Sequence, residues 1–352
     1  MTDASRSSGS GEVRPAHRFD EMRLFEWLRQ NIEGFAGPLK IEQFNGGQSN
    51  PTYRLVTPDR NYVLRRKPPG EILPGAHAIE REARVLQALK RIDFPVARVY
   101  AVCTDHRVIG TPFYIMEFMA GRIVWNVSFP EVAHADRALY FDAMNLTLAA
   151  LHRVDPGAVG LGDYGRPGNY FARQIARWST QYLADADAGR DAHMDRLIEW
   201  LPANIPPGDE FSIVHGDYRA DNLIFHPTEP RVIAVLDWEL STLGHPLADF
   251  AYHLMMYRMP VHLLAGLQGL DLTELNIPSE NEYLEAYCRR TSRRGIADLD
   301  FYVAFNMFRL AAIFHGIKGR LIRGNAASAH AADTVAMLPQ IAAEAWRQTG
   351  AA

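Results

Sequence analysis

Between Val214 and Glu239 the chain reads VHGDYRADNLIFHPTEPRVIAVLDWE, and its polar residues have the types and spacing that phosphoryl transfer requires. In that reaction a carboxylate orients the attacking hydroxyl and accepts its proton, while oxygen ligands hold magnesium against nucleotide phosphates. Asp217 suits the first role. Asn222, five residues on, and Asp237 suit the second, because a hard cation accepts a neutral amide carbonyl as readily as a carboxylate. Arg219, two residues past Asp217, is placed to reach the transferred phosphoryl group. Any one of these residues alone would read as a solvated turn residue. The set His215, Asp217, Asn222 and Asp237, between two apolar runs, carries the assignment.

Such side chains need a rigid frame. Residues 211–214 and 232–236 are short β-branched runs separated by proline and polar residues, which predicts two strands joined by a turn, with the polar groups at their ends. Upstream, Asp20 can cap a helix whose apolar face is Leu24, Trp27, Leu28 and Ile32. Residues 39–44, 52–56 and 62–66 read as strands, with 57–60 as the turn between the last two. The segment from Asn45 to Pro51 carries Gly46-Gly47, which lets backbone N–H groups approach phosphates closely. Gly46, Gly47, Ser49 and Asn50 are therefore candidates for nucleotide binding, and a plain hairpin turn is the competing reading. Residues 74–89 form a helix with Ile79, Ala83, Leu86 and Leu89 on one side. Residues 99–102 and 113–118 complete a small sheet. Segments 131–152, 170–185, 191–200 and 246–256 read as helices. Met1–His17 is rich in Ser, Gly and charge without periodicity, so disorder is expected there.

Composition bounds the class. The chain has 352 residues, is 47% hydrophobic and 22% charged, and carries a formal charge of −4. That suits a soluble globular enzyme with two lobes and argues against a nucleic-acid partner. Cys103 and Cys288 form no metal-ligand pattern and suggest a reducing compartment. No run of 18 apolar residues exists and the N-terminus offers no address, so no membrane partner and a cytoplasmic location are expected.

The His-x-Asp-x4-Asn spacing, followed by an Asp after a strand, matches the catalytic loop and metal Asp of protein kinases. HGDYRADN, LDWE and the run GHPLADFAY at 244–252 resemble the aminoglycoside phosphotransferase and choline kinase superfamily. FNGGQSNPTYRL, YVLRRKPPG, AHAIEREARVL and GTPFYIMEFMAGR resemble the kinase-like domain fused to the N-terminus of some acyl-CoA dehydrogenases. The resemblance runs from about Phe19 to the C-terminus. It implies an α+β, protein-kinase-like fold of two lobes, a small antiparallel-sheet lobe over 19–118 and a mostly helical lobe over 119–352, preceded by a disordered 1–18. ATP and Mg2+ are the implied cofactors. By the register of the family's strand-three lysine, Arg65 is the cation that steadies the phosphates. Lys67 lies on the same strand face, so the pattern leaves both open. Glu82 falls where the family's helix glutamate pairs with that cation. Position in the family also implies that the Glu117 carbonyl and the Met119 N–H grip adenine, that Asp249 braces the catalytic loop, and that His215 orients it.

Residues 301–332 contain Arg309, Lys318, Arg320, Arg323, His315 and His330 and no Asp or Glu. In this superfamily the C-terminal helices line the acceptor pocket, and a basic wall there suits an anion. The expected reaction is transfer of the γ-phosphoryl group to a hydroxyl of a small molecule, an anionic hydroxy acid or hydroxyacyl-CoA, with a functional link to an acyl-CoA dehydrogenase. An aminoglycoside or amino-alcohol acceptor is the alternative within enzymes, and a nucleotide-binding pseudokinase the alternative outside them. Acyl-CoA dehydrogenase activity itself is a further alternative, for which no segment supplies a flavin site.

Overall fold

The computed structural model describes residues 9–45, 50–69, 78–324 and 331–351. The chain divides into two compact units, Met1–Trp125 with Asp221–Glu239, and Asn126–Ala220 with Leu240–Ala352.

The first unit begins with β1 (Ser10–Gly11), α1 (Glu21–Asn31), β2 (Lys40–Phe44), β3 (Thr52–Val56), β4 (Asn61–Arg66), α2 (Ile79–Lys90), β5 (Val99–Cys103), α3 (His106–Ile109), β6 (Phe113–Glu117) and β7 (Arg122–Ile123). Six strands form an antiparallel sheet in the order β1-β2-β3-β4-β6-β5. Asp20 caps α1 by accepting the Arg23 N–H, and Leu24 and Leu28 sink into a core with Tyr53, Leu55, Tyr62, Leu64, Phe113 and Ile115. Strand period explains the split that matters for function: Tyr62 and Leu64 face α1, so Val63 and Arg65 face the opposite side. There α2 packs on β5 and β6 and offers the buried Glu82.

In the second unit come α4 (Arg137–His152), α5 (Tyr170–Ala184), α6 (Ala192–Ala203) and β8 (Ser212–Val214). The first unit then regains β9 (Leu223–Phe225) and β10 (Val232–Val235), which join β7 in a three-stranded sheet, β10-β9-β7. The second unit closes with β11 (Thr242–Gly244), α7 (Pro246–Arg258), α8 (Glu280–Arg290), α9 (Leu299–Ile322), α10 (Ala331–Ala336) and α11 (Leu338–Gln348). Its long helix α9 packs on α7, α5 and α11. Among the described residues no helix is long and apolar enough to cross a membrane.

Several expectations are corrected. The runs at 211–214 and 232–236 do not pair with each other: β8 pairs with β11 and β10 pairs with β9. Leu223–Phe225 offers β10 a partner much nearer in sequence, which lowers the loop-closure cost. At three residues that strand is too short to show a period. Residues 1–8 of the segment expected to be disordered lie outside the described residues, and residues 9–18 make contacts with the first unit's sheet. Ser10 and Gly11 pair with Phe44 and Gln43, and the His17 carbonyl accepts from Tyr53 Oη at 3.0 Å and Arg66 Nη2 at 3.2 Å. The open edge of β2 supplies the backbone partners that composition alone does not reveal. The helix expected over 131–152 starts at Arg137, after a 3-10 turn at His134–Asp136. Beyond the boundary expected at 118, Arg122 pairs with Phe225 and Ile123 with Ile224, and the hairpin of 221–239 groups with the first unit.

Candidate active-site residues

In the first unit one guanidinium organises the candidates. Arg65 Nε donates to Glu82 Oε2 at 2.9 Å, and Nη2 donates to Asp237 Oδ1 at 2.7 Å. Nη2 also lies 3.8 Å from Glu239 Oε2, an oxygen that accepts from Asn50 Nδ2 at 3.2 Å. The side chains of Arg65 and Glu82 are 10% and 3% exposed, against 37% for Asp237. The buried end of the cluster is thus a fixed ion pair, and the accessible end is a carboxylate. Burial alone would pull the Arg65 pKa down; the Glu82 and Asp237 carboxylates outweigh it and push the net value up. Burial pushes the Glu82 carboxyl up against the pull of Arg65, with Asp237 adding to the push. Lys67, the other cation on this strand face, is tied to Glu80 at 2.9 Å.

Asn222 and Asp237 come together at the open end of the β9–β10 hairpin. Val235 pairs with Leu223, and the Leu236 N–H donates to the Asn222 carbonyl at 2.8 Å. Asp237 sits at φ 62°, a left-handed conformation that aspartate tolerates better than most residues. Beside it Trp238 is packed away, with Nε1 donating to the Val235 carbonyl at 3.0 Å. The two side chains offer oxygen donors, the set that suits Mg2+. Among the described residues no three His, Cys, Asp or Glu converge in a way that could hold a metal ion.

Glu117 ends β6, its N–H donating to the Arg98 carbonyl at 2.8 Å and its carboxylate accepting the Arg98 N–H at 3.2 Å. Met119 follows in the half-buried connection to β7. Gly46, Gly47 and Ser49 lie outside the described residues.

In the second unit α7 holds the loop that follows β8. Asp249, 3% exposed, accepts the His215 N–H at 2.6 Å and the Gly216 N–H at 2.8 Å. His152 Nε2 lies 3.2 Å from the same carboxylate, and its Nδ1 lies 2.7 Å from Tyr287 Oη. Burial would push the Asp249 carboxyl up; the hydrogen bond and charge of His152, with His215 beyond, bring it below its ordinary value. Gly216 takes φ 84°, and a Cβ there would stand 2.8 Å from the Leu240 carbonyl oxygen, so glycine is required. The Asp217 N–H donates to His215 Nδ1 at 3.2 Å, and the Asp217 carboxylate accepts from Tyr252 Oη at 2.5 Å. Arg219 is exposed on the same loop.

Sequence reasoning missed Tyr252, His253 and the place of His152. The signal was available for two of them, because Asp249, Tyr252 and His253 occupy one helix face at i, i+3 and i+4. The basic C-terminal stretch is partly engaged within its own unit. Arg309 donates to the Gly216 carbonyl at 2.7 Å, His315 Nε2 lies 2.8 Å from the Gly189 carbonyl, and Arg323 pairs with Asp185 at 2.8 Å. Three of the groups taken as an anion-binding wall are thus engaged within the protein, and His330 lies outside the described residues.

An antiparallel-sheet unit with a strand cation bound to a helix glutamate, and a helical unit bracing an HGD loop, define a kinase-like phosphotransferase fold. The chain belongs to the phosphotransferase enzyme family, whose model matches residues 40–302. It is similar to a protein of Ralstonia eutropha provisionally named an aminoglycoside phosphotransferase, with 52% identity and a TM-score of 0.86 over 95% of this chain and 99% of that one. It is 44% identical over 312 residues to acyl-CoA dehydrogenase family member 10 of Mus musculus, covering 88% of this chain and 29% of that protein. The chain therefore spans less than a third of that relative's length. A thermostable aminoglycoside phosphotransferase mutant, solved with ADP and hygromycin B, shares the fold at 14% identity and a TM-score of 0.61, over 93% of this chain and 98% of that one.

Proposed function

We propose that the protein transfers the γ-phosphoryl group of ATP to a hydroxyl of a small acceptor. The observation that carries this reading is the Arg65 guanidinium held jointly by Glu82 and Asp237. It is a preset phosphate-binding cation beside an accessible metal-binding carboxylate. Arg65, with Gly46, Gly47, Ser49 and Asn50, steadies the phosphates, and Glu82 keeps Arg65 extended. Glu117 and Met119 hold adenine through backbone groups. Asn222 and Asp237 would hold Mg2+, which when bound would neutralise charge on the phosphates. In the second unit Asp217 orients the acceptor hydroxyl and takes its proton, and Arg219 meets the transferred phosphoryl group. The ADP-bound relative of the same fold supports the nucleotide.

For the acceptor we favour a hydroxy acid or hydroxyacyl-CoA. The support is the kinship with a longer protein named as an acyl-CoA dehydrogenase. Phosphorylation there would turn a hydroxyl into a leaving group for elimination. The charge argument for an anion narrows to Lys318 and Arg320. The name of the Ralstonia relative favours a second reading, an aminoglycoside acceptor. The deciding assay is ADP release from Mg-ATP with short hydroxy acids, their CoA thioesters, choline and kanamycin, beside Asp217→Asn. Turnover with an anionic hydroxy compound, lost in D217N, is the expected result. Turnover with kanamycin alone would replace the acceptor class. Mg-ATP binding with no turnover on any acceptor would favour a pseudokinase, and flavin absorbance in the purified protein would favour a dehydrogenase.

A further inference from the structure

Helix α7 meets the HGDY loop residue by residue. Asp249 takes the N–H groups of His215 and Gly216, Tyr252 reaches the carboxylate of Asp217, and the His253 ring packs edge-on against Tyr218 at 5.1 Å. The first and last of these contacts hold backbone and ring. The middle one touches the side chain to which the proposed chemistry belongs.

We propose that Tyr252 is the positioning residue for Asp217, fixing the plane of its carboxylate toward the acceptor hydroxyl, with Arg309 clamping both the Tyr252 ring and the loop. This rests on the kinase reading above. An aspartate on a loop turns about two side-chain bonds, and a base serves catalysis only while one oxygen faces the proton it takes. A hydrogen bond to Oδ1 removes that freedom. Tyrosine suits the task because its ring is rigid and its hydroxyl stands far from the backbone. The ring is itself pinned. Tyr252 is 8% exposed, and the Arg309 guanidinium lies 5.5 Å from its centroid while donating to the Gly216 carbonyl. Arg309 stands on α9, 93 residues along the chain from Gly216, so loop, α7 and α9 meet at one point. Burial, and then the charge of Asp217, push the phenol's pKa up, so it keeps its proton and remains a donor across the working range.

Tyr252→Phe is the test, because it deletes the O–H and keeps the ring over which Arg309 sits. The groups that face Tyr252 are Asp217 and Arg219 of the loop and Arg309 of α9, and all remain in the variant. Expected are a fall in kcat of about tenfold or more, a KM for ATP within about twofold of the wild type, and an unchanged Tm. A merely structural tyrosine would change Tm, or kcat and KM together. An active wild-type enzyme whose Y252F form keeps kcat within about twofold overturns the role of Tyr252 alone. A wild-type protein with no turnover on any acceptor overturns the kinase reading and this inference with it. Arg309→Lys, which keeps the charge but not the planar fork, should lower kcat in the same direction; an R309K enzyme at full kcat would overturn the clamp.

Discussion

Arg65 shows how one residue can carry two jobs that sequence reasoning had to separate by register. On a strand with alternating faces, Arg65 and Lys67 are equivalent; the partners distinguish them, Glu82 and Asp237 for one and Glu80 for the other. The pair with Glu82 is buried, and its worth lies in what removing one partner would strand. Arg65→Met should cost about 3–5 kcal/mol of stability, because Glu82 would be left desolvated without its cation. Adding Glu82→Gln should return a good part of that loss, and urea unfolding of the two variants measures both. A single variant within about 1 kcal/mol of the wild type would contradict the buried-pair account. Asp237 stands differently: it is reachable, it has a left-handed backbone, and Asp237→Asn is the substitution that probes its charge with least disturbance of that backbone.

At the scale of elements, α7 is the part of the site that sequence made most legible. The GHPLADFAY run marked Asp249 as the brace of the catalytic loop, and the two backbone bonds it accepts fit that reading. What stayed hidden depended on partners distant in sequence. Nothing in the sequence tells that Arg309 ends on the Gly216 carbonyl, or that Thr242–Gly244 is the partner of β8, because three-residue strands carry no readable period. The same helix predicts a pH response. Burial lowers His253 on α7 and His245 at its N-cap from 6.5 to about 4. Both are therefore neutral in the fold but protonate near 6.5 when unfolded, so their contribution is complete above pH 6.5 and is lost as pH falls toward 4. Each is worth on the order of 3 kcal/mol over that span. Urea midpoints between pH 7 and 4.5 should fall, and His253→Gln should flatten part of the slope; a level stability over that range would refute the assignment. Asp249 acts lower, since its depressed pKa puts its loss below pH 3.8.

At the scale of the molecule, the family and the kinase-like fold were legible because several motifs fall in one order along the chain. The grouping of one hairpin was not, since it turns on pairing between strands distant in sequence. Residues 221–239 belong with the first unit although 95 residues of the second, Asn126–Ala220, come between. Gly121 shows how closely the pieces join within that unit: a Cβ there would stand 2.3 Å from the Phe225 carbonyl oxygen.

That placement sets a timetable for synthesis. When the ribosome has released Trp125, the six-stranded sheet is complete, yet β7 still lacks its neighbour and Arg65 lacks Asp237. The first unit must wait, through the emergence of α4, α5 and α6, for the hairpin that finishes it, although N-terminal units ordinarily fold as they appear. Nascent chains stalled with residues up to 125 exposed should therefore be cut by protease within β4 to β7, and those stalled with residues up to 239 exposed should resist. Equal resistance at both points would mean that the hairpin adds nothing to the first unit's stability.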